Sequence, residues 1–509
     1  MTETSRDRRL HTDRGDATDR LGPAGTGKIA AIIVIAVAQL LIVLDATIVS
    51  VALPSAEADL HISEANRSWV VTVYALTFGG LLLLGGRIAD YIGRRRALTI
   101  GLLGFAAASL LGAFAPNAAV LFAGRGLQGA FAAVLAPSAL SLLAVTFAEG
   151  KDRARAFAVF GGVSAAGGAI GLLLGGVLTE FLSWRWCLGV ATPIALGVAF
   201  AARAVFADET RDKSKSRLDL GGALTVTAGL AALVVALAKA SSDGWAASST
   251  VVLLVAAAAL LAAFAVIESR SAAPLLPPRV ILDRNRGGAF LVQTTLGAAL
   301  LAVFVFLTFY LQQTLGFSPL RTGLAFLPIA AGIAFGAVAY SLLSSRVRPG
   351  VQVPIGLLVT AVGLGLLTRI SADSSYWSHV LAPLLLLAFG VGLTLGPVQN
   401  IALLRIDKAD AGVASAMVDT TQQVGGAIGT AVLNTIFASA VTGYLADQAR
   451  NGSGRPPGAA TATLAAIHGY HVAFWTGAGL LVATALITAV LINATRQQMS
   501  AVAEHQQEA

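Results

Sequence analysis

Fourteen apolar runs divide this chain, each close to the ~20 residues that a helix needs to cross a hydrocarbon core. They fall at about 29–53, 67–86, 97–115, 118–147, 156–179, 186–206, 219–239, 247–268, 288–312, 322–343, 353–371, 378–403, 413–440 and 472–495. The pattern predicts an all-α membrane protein. Its longer polar segments are the tail Met1–Thr26, a linker at Asp208–Arg217 (DETRDKSKSR) and a flexible loop at Ala446–Ala460 (ADQARNGSGRPPGAA). The layout is therefore a disordered tail over 1–28, a six-helix bundle over 29–206, and a linker with two extra spans over 207–287. A second six-helix bundle over 288–495 and a short tail over 496–509 complete it. Two six-span halves suit a transporter whose bundles move against each other.

Composition agrees with this reading. The chain is 56% hydrophobic and only 12% charged, against about 25% charged for soluble domains. The first run is too long for a signal-peptide core and no small-residue cleavage site follows it, so it is expected to remain a span. Cys187 is the single cysteine, which excludes an intramolecular disulfide and a cysteine-rich metal site. The net charge of +8 raises nucleic acid as a partner, but the placement of the charge explains it otherwise. With both termini cytoplasmic, 27 of the 35 Lys and Arg fall in inside segments, the excess that orients membrane proteins. A multi-pass protein of the cytoplasmic membrane, without nucleic acid, is expected.

Two motifs invite a nucleotide. LGPAGTGK (Leu21–Lys28) has the spacing of a phosphate-binding loop, but Ile29 stands where Mg²⁺ needs Ser or Thr, and DRGDATDR before it cannot form a buried strand. Lys28 reads as an interface anchor. GRGLQG (Gly124–Gly129) fits a dinucleotide fingerprint but lies inside an apolar helix, where close helix packing explains its glycines. No cofactor and no ATP are expected; the work is driven by a gradient, for which protons are the expected partner.

Charges inside spans are costly and usually functional. Asp45, in LIVLDATIVSVALP, can bind and release a proton there, or bond a neighbouring hydroxyl as a packing group. Arg125 is the basic residue deep in a span, with Gln128 and Gly129 on its face; it requires an acidic side chain or carbonyls. VDTTQQVGGAIG puts Asp419, Gln422 and Gln423 on one face. These three, with Gln128, form a candidate substrate or second protonation site, although a hydrated surface carboxylate also fits Asp419. Glu180 reads as interfacial. His379, His468 and His471 sit near outer loops and carry no metal pattern. In GGVSAAGGAIGLLLGG, Ser164, Gly168, Gly171 and Gly175, followed by Gly176, make a small-residue stripe for close helix packing. In GRIADYIGRRRAL (Gly86–Leu98), Gly86 and Gly93 suit tight turns, Asp90 can cap the next helix, and Arg94, Arg95 and Arg96 anchor the loop.

These residues resemble the major facilitator superfamily, and within it the fourteen-span drug/proton antiporters. GRIADYIGRRRAL is similar to the signature loop after the second span, departing at Tyr91 where a polar residue is usual. GRGLQGAFAAV resembles the fourth-span motif, with Arg125 and Gln128 in place, and LDATIVSVALP the first-span motif. GLLLGGVL (Gly171–Leu178) resembles the antiporter motif of the fifth span, with Leu172 where Pro is usual. SWRW (Ser183–Trp186), LRTGLAFLP (Leu320–Pro328) and the Gly412–Gly429 region also fit. The resemblance implies a two-bundle, alternating-access exporter of hydrophobic drugs or antibiotics, cationic ones among them. It implies proton coupling through Asp45 and Arg125, and a conformational latch built from Gly86, Asp90, Gly93, Arg94 and Arg95. A monomer is expected. The alternatives are a proton-linked transporter of a metabolite, lipid or natural product, and, from another class, a receptor or enzyme. No nucleophile motif, metal-ligand pattern or signalling domain supports the last, so no enzyme activity is expected.

Overall fold

The computed structural model describes residues 25–63, 66–147, 150–206, 219–271, 274–344, 346–404, 406, 411–451 and 458–493. All regular structure among them is helical. The first half contains α1 (Gly25–Leu60), α2 (Trp69–Ile92), α3 (Arg94–Ala113), α4 (Ala118–Thr146), α5 (Gly150–Phe181), α6 (Trp184–Gly189) and α7 (Ala191–Val205). A hairpin follows, α8 (Leu220–Asp243) and α9 (Ser248–Arg270), and then the short α10 (Pro278–Ile281). The second half contains α11 (Arg284–Phe309), α12 (Pro319–Ser344), α13 (Pro349–Leu366), α14 (Ala382–Ala402), α15 (Ala411–Asn451) and α16 (Ala459–Leu491). Among the described residues, thirteen spans, with α6 and α7 read as one, are long and apolar enough to cross a membrane, and the apolar Gly221–Leu237 of α8 is close to that length. Two extra helices between two sets of six is the expected arrangement.

The internal repeat that the sequence does not display is plain in the packing. In the first bundle α2 and α3 pack on α4, α1 on α5 and α3 on α7; in the second, α12 and α13 pack on α14, α11 on α15 and α13 on α16. The bundles meet where α2 packs on α15 and α5 on α12, the second helix of each half against the fifth of the other. This is the exchange a two-fold relation requires. Helix α8 lies over one of these junctions: Leu230, Val234 and Leu237 pack with Ala75 and Leu76 of α2 and with Ala427 and Ala431 of α15. Thr227 donates to the Gly80 carbonyl at 3.2 Å and Thr435 to that of Leu237 at 2.9 Å.

Several helices outrun the apolar segments that announced them. α1 continues to Leu60, α5 begins at Gly150, α15 reaches Asn451, and α16 begins at Ala459 rather than near 472. The segment Ala446–Ala460 is thus helical through Asn451 and again from Ala459, not one long loop. Hydropathy marks the part of a helix that faces hydrocarbon, whereas backbone hydrogen bonding carries the helix into the headgroup region. The tails over 1–24 and 494–509 and the linker over 208–217 lie outside the described residues. Gly25–Lys28 form the first turn of α1, and Lys28 pairs with Asp152 of α5 at 3.0 Å on the surface. The pseudo-phosphate motif therefore ends in helix instead of a loop opening from a strand.

Candidate functional site

Two polar sites lie on opposite sides of α1. The first is inside the first bundle. Asp45, Arg125 and Gln128 are each 0% exposed. Arg125 Nη1 donates to Asp45 Oδ2 at 2.6 Å and to Gln128 Oε1 at 2.8 Å. Gln128 Nε2 donates to Asp45 Oδ1 at 3.0 Å and to Ser109 Oγ at 2.9 Å. Arg125 Nε reaches the Val70 carbonyl in the first turn of α2 at 3.0 Å, and its guanidinium lies 4.4 Å above the Tyr74 ring. The expected acidic partner of Arg125 is thus Asp45, and the pair ties α1 to α4 and α2. Arg125 can come this deep because α4 packs closely. A Cβ on Gly124 would stand 2.9 Å from the Gly112 amide nitrogen, and one on Gly129 would strike the Tyr74 carbonyl. The glycines of GRGLQG are therefore packing residues.

Gln128 belongs to this site and not, as its grouping with Asp419 expected, to the substrate side. It sits one turn after Arg125 on the face turned toward α1, so its amide completes the shell of the Asp45 carboxylate.

The second site is a cavity of about 1120 Å³ between the bundles. Its mouth is at the end of the molecule that carries the α2–α3 turn, where Gly86, Arg87 and Asp90 line it. Ile42, Val43, Ala46 and Thr47 give it the other face of α1; Phe304 and Phe326 give it walls from the second bundle. Most of the lining is apolar, with Asp419, Gln422 and Gln423 on α15 and Gln39, Gln293 and Gln399 as the amide and carboxylate groups. Asp419 is exposed to this space in the third turn of α15, so the expected Asp–Gln–Gln face forms. Gln39 Nε2 donates to Ser164 Oγ at 3.0 Å across α1 and α5.

The cavity is closed at the opposite end. Gln312 Nε2 donates to the Val51 carbonyl at 2.9 Å, and Glu180 accepts from the Leu320 amide at 2.9 Å. Glu180 is surface-exposed, as expected of an interfacial residue. The small-residue stripe divides by position. Gly171 and Gly175 press α5 onto α1: a Cβ on Gly175 would meet the Ile48 carbonyl at 2.5 Å, and one on Gly171 would strike Thr47 Oγ1. Gly176 presses α5 onto α12 of the other bundle, with Leu320 Cα 2.8 Å from its virtual Cβ. Gly168 corrects the expectation: it faces the cavity, with Thr47 Cγ2 at 4.0 Å as its nearest neighbour. Two turns nearer the mouth than Gly176 the bundles have already diverged.

The α2–α3 turn also differs in detail. Gly93 makes the turn, at φ +95°. Gly86 lies within α2 and makes no turn; the tight neighbour is Gly85, whose Cβ would strike the Ala133 carbonyl. Asp90 does not cap α3, whose first turn Arg94–Arg96 follows Gly93 with no side-chain cap; it stands instead at the cavity mouth. Beside it, Arg87 Nη2 donates to the Pro274 carbonyl at 3.0 Å, joining α2 to the connector after α9.

The profile of the Major Facilitator Superfamily matches residues 35–430. The chain belongs to that superfamily. It is 46% identical over 468 residues to the puromycin resistance protein pur8 of Streptomyces alboniger, covering 91% of each chain. It is 40% identical to the cephamycin export protein CmcT of Amycolatopsis lactamdurans, covering 82% of this chain and 87% of that one. Among solved structures it resembles a bacterial homologue of the human lysosomal transporter Spinster, at a TM-score of 0.65 and 14% identity, over 94% of this chain and 99% of that one. That likeness establishes the major facilitator fold alone.

Sequence reasoning missed two buried cations of this major facilitator protein. Arg286 donates to the carbonyls of Val280, Leu404 and Arg279 at 3.1, 3.1 and 2.9 Å, pinning the start of α11 to α10 and the end of α14. Arg67, the first residue of the second apolar run, is 2% exposed between two aromatic rings. Both lie at the edges of apolar runs, where one sequence gives no sign of which way the side chain turns.

Proposed function

We propose that this chain exports amphiphilic antibiotics or related drugs from the cytoplasm by alternating access, in exchange for protons. The observation that carries the export reading is 46% identity, over nine-tenths of both chains, to a protein named for puromycin resistance. The cavity agrees in chemistry: it is large and mostly apolar, and within it, away from Arg87 and Asp90 at the mouth, the carboxylate of Asp419 stands among amides. Such a lining takes an amphiphile and favours a positive charge beside Asp419. Its mouth faces the end with the basic α2–α3 turn, which the distribution of Lys and Arg assigns to the cytoplasm, along with both termini.

Proton exchange rests on Asp45. A charged Asp45 holds Arg125, and Arg125 holds Val70 of α2, so α1, α2 and α4 form one block. A proton on Asp45 removes the counter-charge of a buried guanidinium, which forces these helices to rearrange. Separation of the two sites by α1 lets proton and cargo act on one helix without sharing a pocket. No step requires a nucleotide. A susceptibility panel in an efflux-deficient host, with and without the gene, tests the reading: puromycin and other amphiphilic cations should become less toxic. Unchanged susceptibility across drugs, with the protein present in the membrane, would count for the metabolite or natural-product alternative.

A further inference from the structure

Arg67 sits in the turn that leads into α2, at the closed end of the molecule. Its guanidinium carbon lies 4.0 Å above the ring of Phe309, the last residue of α11, and 4.8 Å above that of Phe437 in α15. Phe437 is backed by Tyr470 at 5.0 Å and by Phe306 at 5.5 Å, so α11, α15 and α16 together build an aromatic wall. The arginine comes from one bundle and the wall from the other. Nε and Nη2 are buried and donate to no acceptor among the described residues. Arg125 also has an unpaired Nη2, but its Nη1 and Nε find a carboxylate, an amide and a carbonyl.

A clamp is the first interpretation, since ring faces attract a guanidinium. The balance runs the other way. A buried cation gives up its hydration, and the ring faces return only part of that cost when Nε and Nη2 stay unpaired. The closed state is therefore held by other contacts at that end, namely the Gln312–Val51 and Glu180–Leu320 bonds and the Gly176–Leu320 approach. Arg67 pushes against them. When the bundles part, water reaches the guanidinium and its hydration is recovered.

We propose that Arg67 is a release spring of the outer gate: it raises the energy of the outer-closed state so that the bundles can separate there. It is a positioning residue, setting the balance between two states without touching cargo. The inference rests on the alternating-access reading above.

The two halves of the motif have opposite expected effects. Arg67→Met keeps the length and removes the charge, so the closed state should gain, and the open population should fall roughly tenfold or more. Arg67→Lys keeps a buried cation and should keep the open population near the wild-type level. Phe437→Leu removes a ring face but leaves the charge, and should raise the open population. Nitroxide labels at Phe114→Cys and Asp373→Cys, both exposed at this end in different bundles, report the opening by pulsed electron resonance. The background is Cys187→Ala, which removes the sole cysteine. The full chain is measured in lipid nanodiscs without substrate. General damage cannot drive Arg67→Met and Phe437→Leu in opposite directions. Longer or unchanged distances in Arg67→Met would overturn the spring, and longer ones would make Arg67 a clamp. A wild type that never shows the long distance would overturn alternating access, and the spring with it.

Discussion

Replacing Asp45 by Asn removes one charge from the buried pair and almost nothing from its shape. In the native arrangement one carboxylate oxygen accepts from Arg125 at 2.6 Å and the other from Gln128 at 3.0 Å. Asn supplies one oxygen. Turned toward Arg125, it sets its own amide NH₂ against that of Gln128, donor facing donor. Turning Gln128 over relieves this but puts its NH₂ against Arg125, which its Oε1 now accepts from at 2.8 Å. The larger loss is electrostatic. Arg125 is 0% exposed, and removing one partner of such a pair costs about 3–5 kcal/mol. Arg125→Gln should cost a similar amount, because it strands the carboxylate. The double variant strands neither charge; with a residual loss of about 1 kcal/mol, a double-mutant cycle should give a coupling of about 5–9 kcal/mol. Denaturant unfolding in detergent measures the stability terms. Proton-driven uphill transport should be lost in all three variants, while downhill exchange can persist in Asp45→Asn. Stability of Asp45→Asn equal to wild type would refute the reasoning, because Asp45 would then already carry its proton in the inward-open state and pair with Arg125 as a neutral acid.

Asp419→Asn should weaken export of cationic drugs more than of neutral ones, because the carboxylate faces the cavity and belongs to no ion pair among the described residues; equal loss for both classes in a vesicle-uptake assay would contradict a charge-selecting role. Gly175→Val should lower expression and thermal stability, since its Cβ would meet the Ile48 carbonyl at 2.5 Å, whereas Gly168→Ala should leave stability unchanged and alter only cavity occupancy. Lys28→Ala should be nearly silent in stability and transport, because its surface pair with Asp152 is open to water. Reporters that act only outside the cytoplasm should stay inactive when fused to either terminus.

Much of this was legible in the sequence, for a physical reason. Hydrocarbon makes every charge conspicuous, so Asp45, Arg125 and Asp419 stood out from their apolar neighbours, and the span pattern supplied the fold class. Chemistry alone could not allocate them. Gln128 and Asp419 are both polar groups on packed helices, and only the orientation of α4 against α1 puts Gln128 beside Asp45. Gly168 and Gly175 lie on the same small-residue stripe, but Gly175 turns onto α1 while Gly168 turns into the cavity. Arg67 was illegible because its partners, Phe309 and Phe437, come from the other bundle. The ends of α15 and α16 were hidden by the same rule that revealed their centres, since hydropathy stops where the lipid does.

The central claim is that a proton falling inward drives a drug outward through Asp45. One elementary charge crossing the membrane is worth about 2.3 kcal/mol per 100 mV. For a neutral drug exchanged one for one, that is a concentration factor of roughly 50 before any pH gradient is added, whereas a singly cationic drug exchanged for one proton draws on the pH gradient alone. Sealed inside-out vesicles bearing the full chain, with an imposed acid-inside pH gradient and no nucleotide, should accumulate the drug identified by the susceptibility panel. Collapse of the gradient should release it, and Asp45→Asn vesicles should not accumulate it. Accumulation that requires ATP, or that survives in Asp45→Asn, would contradict the account.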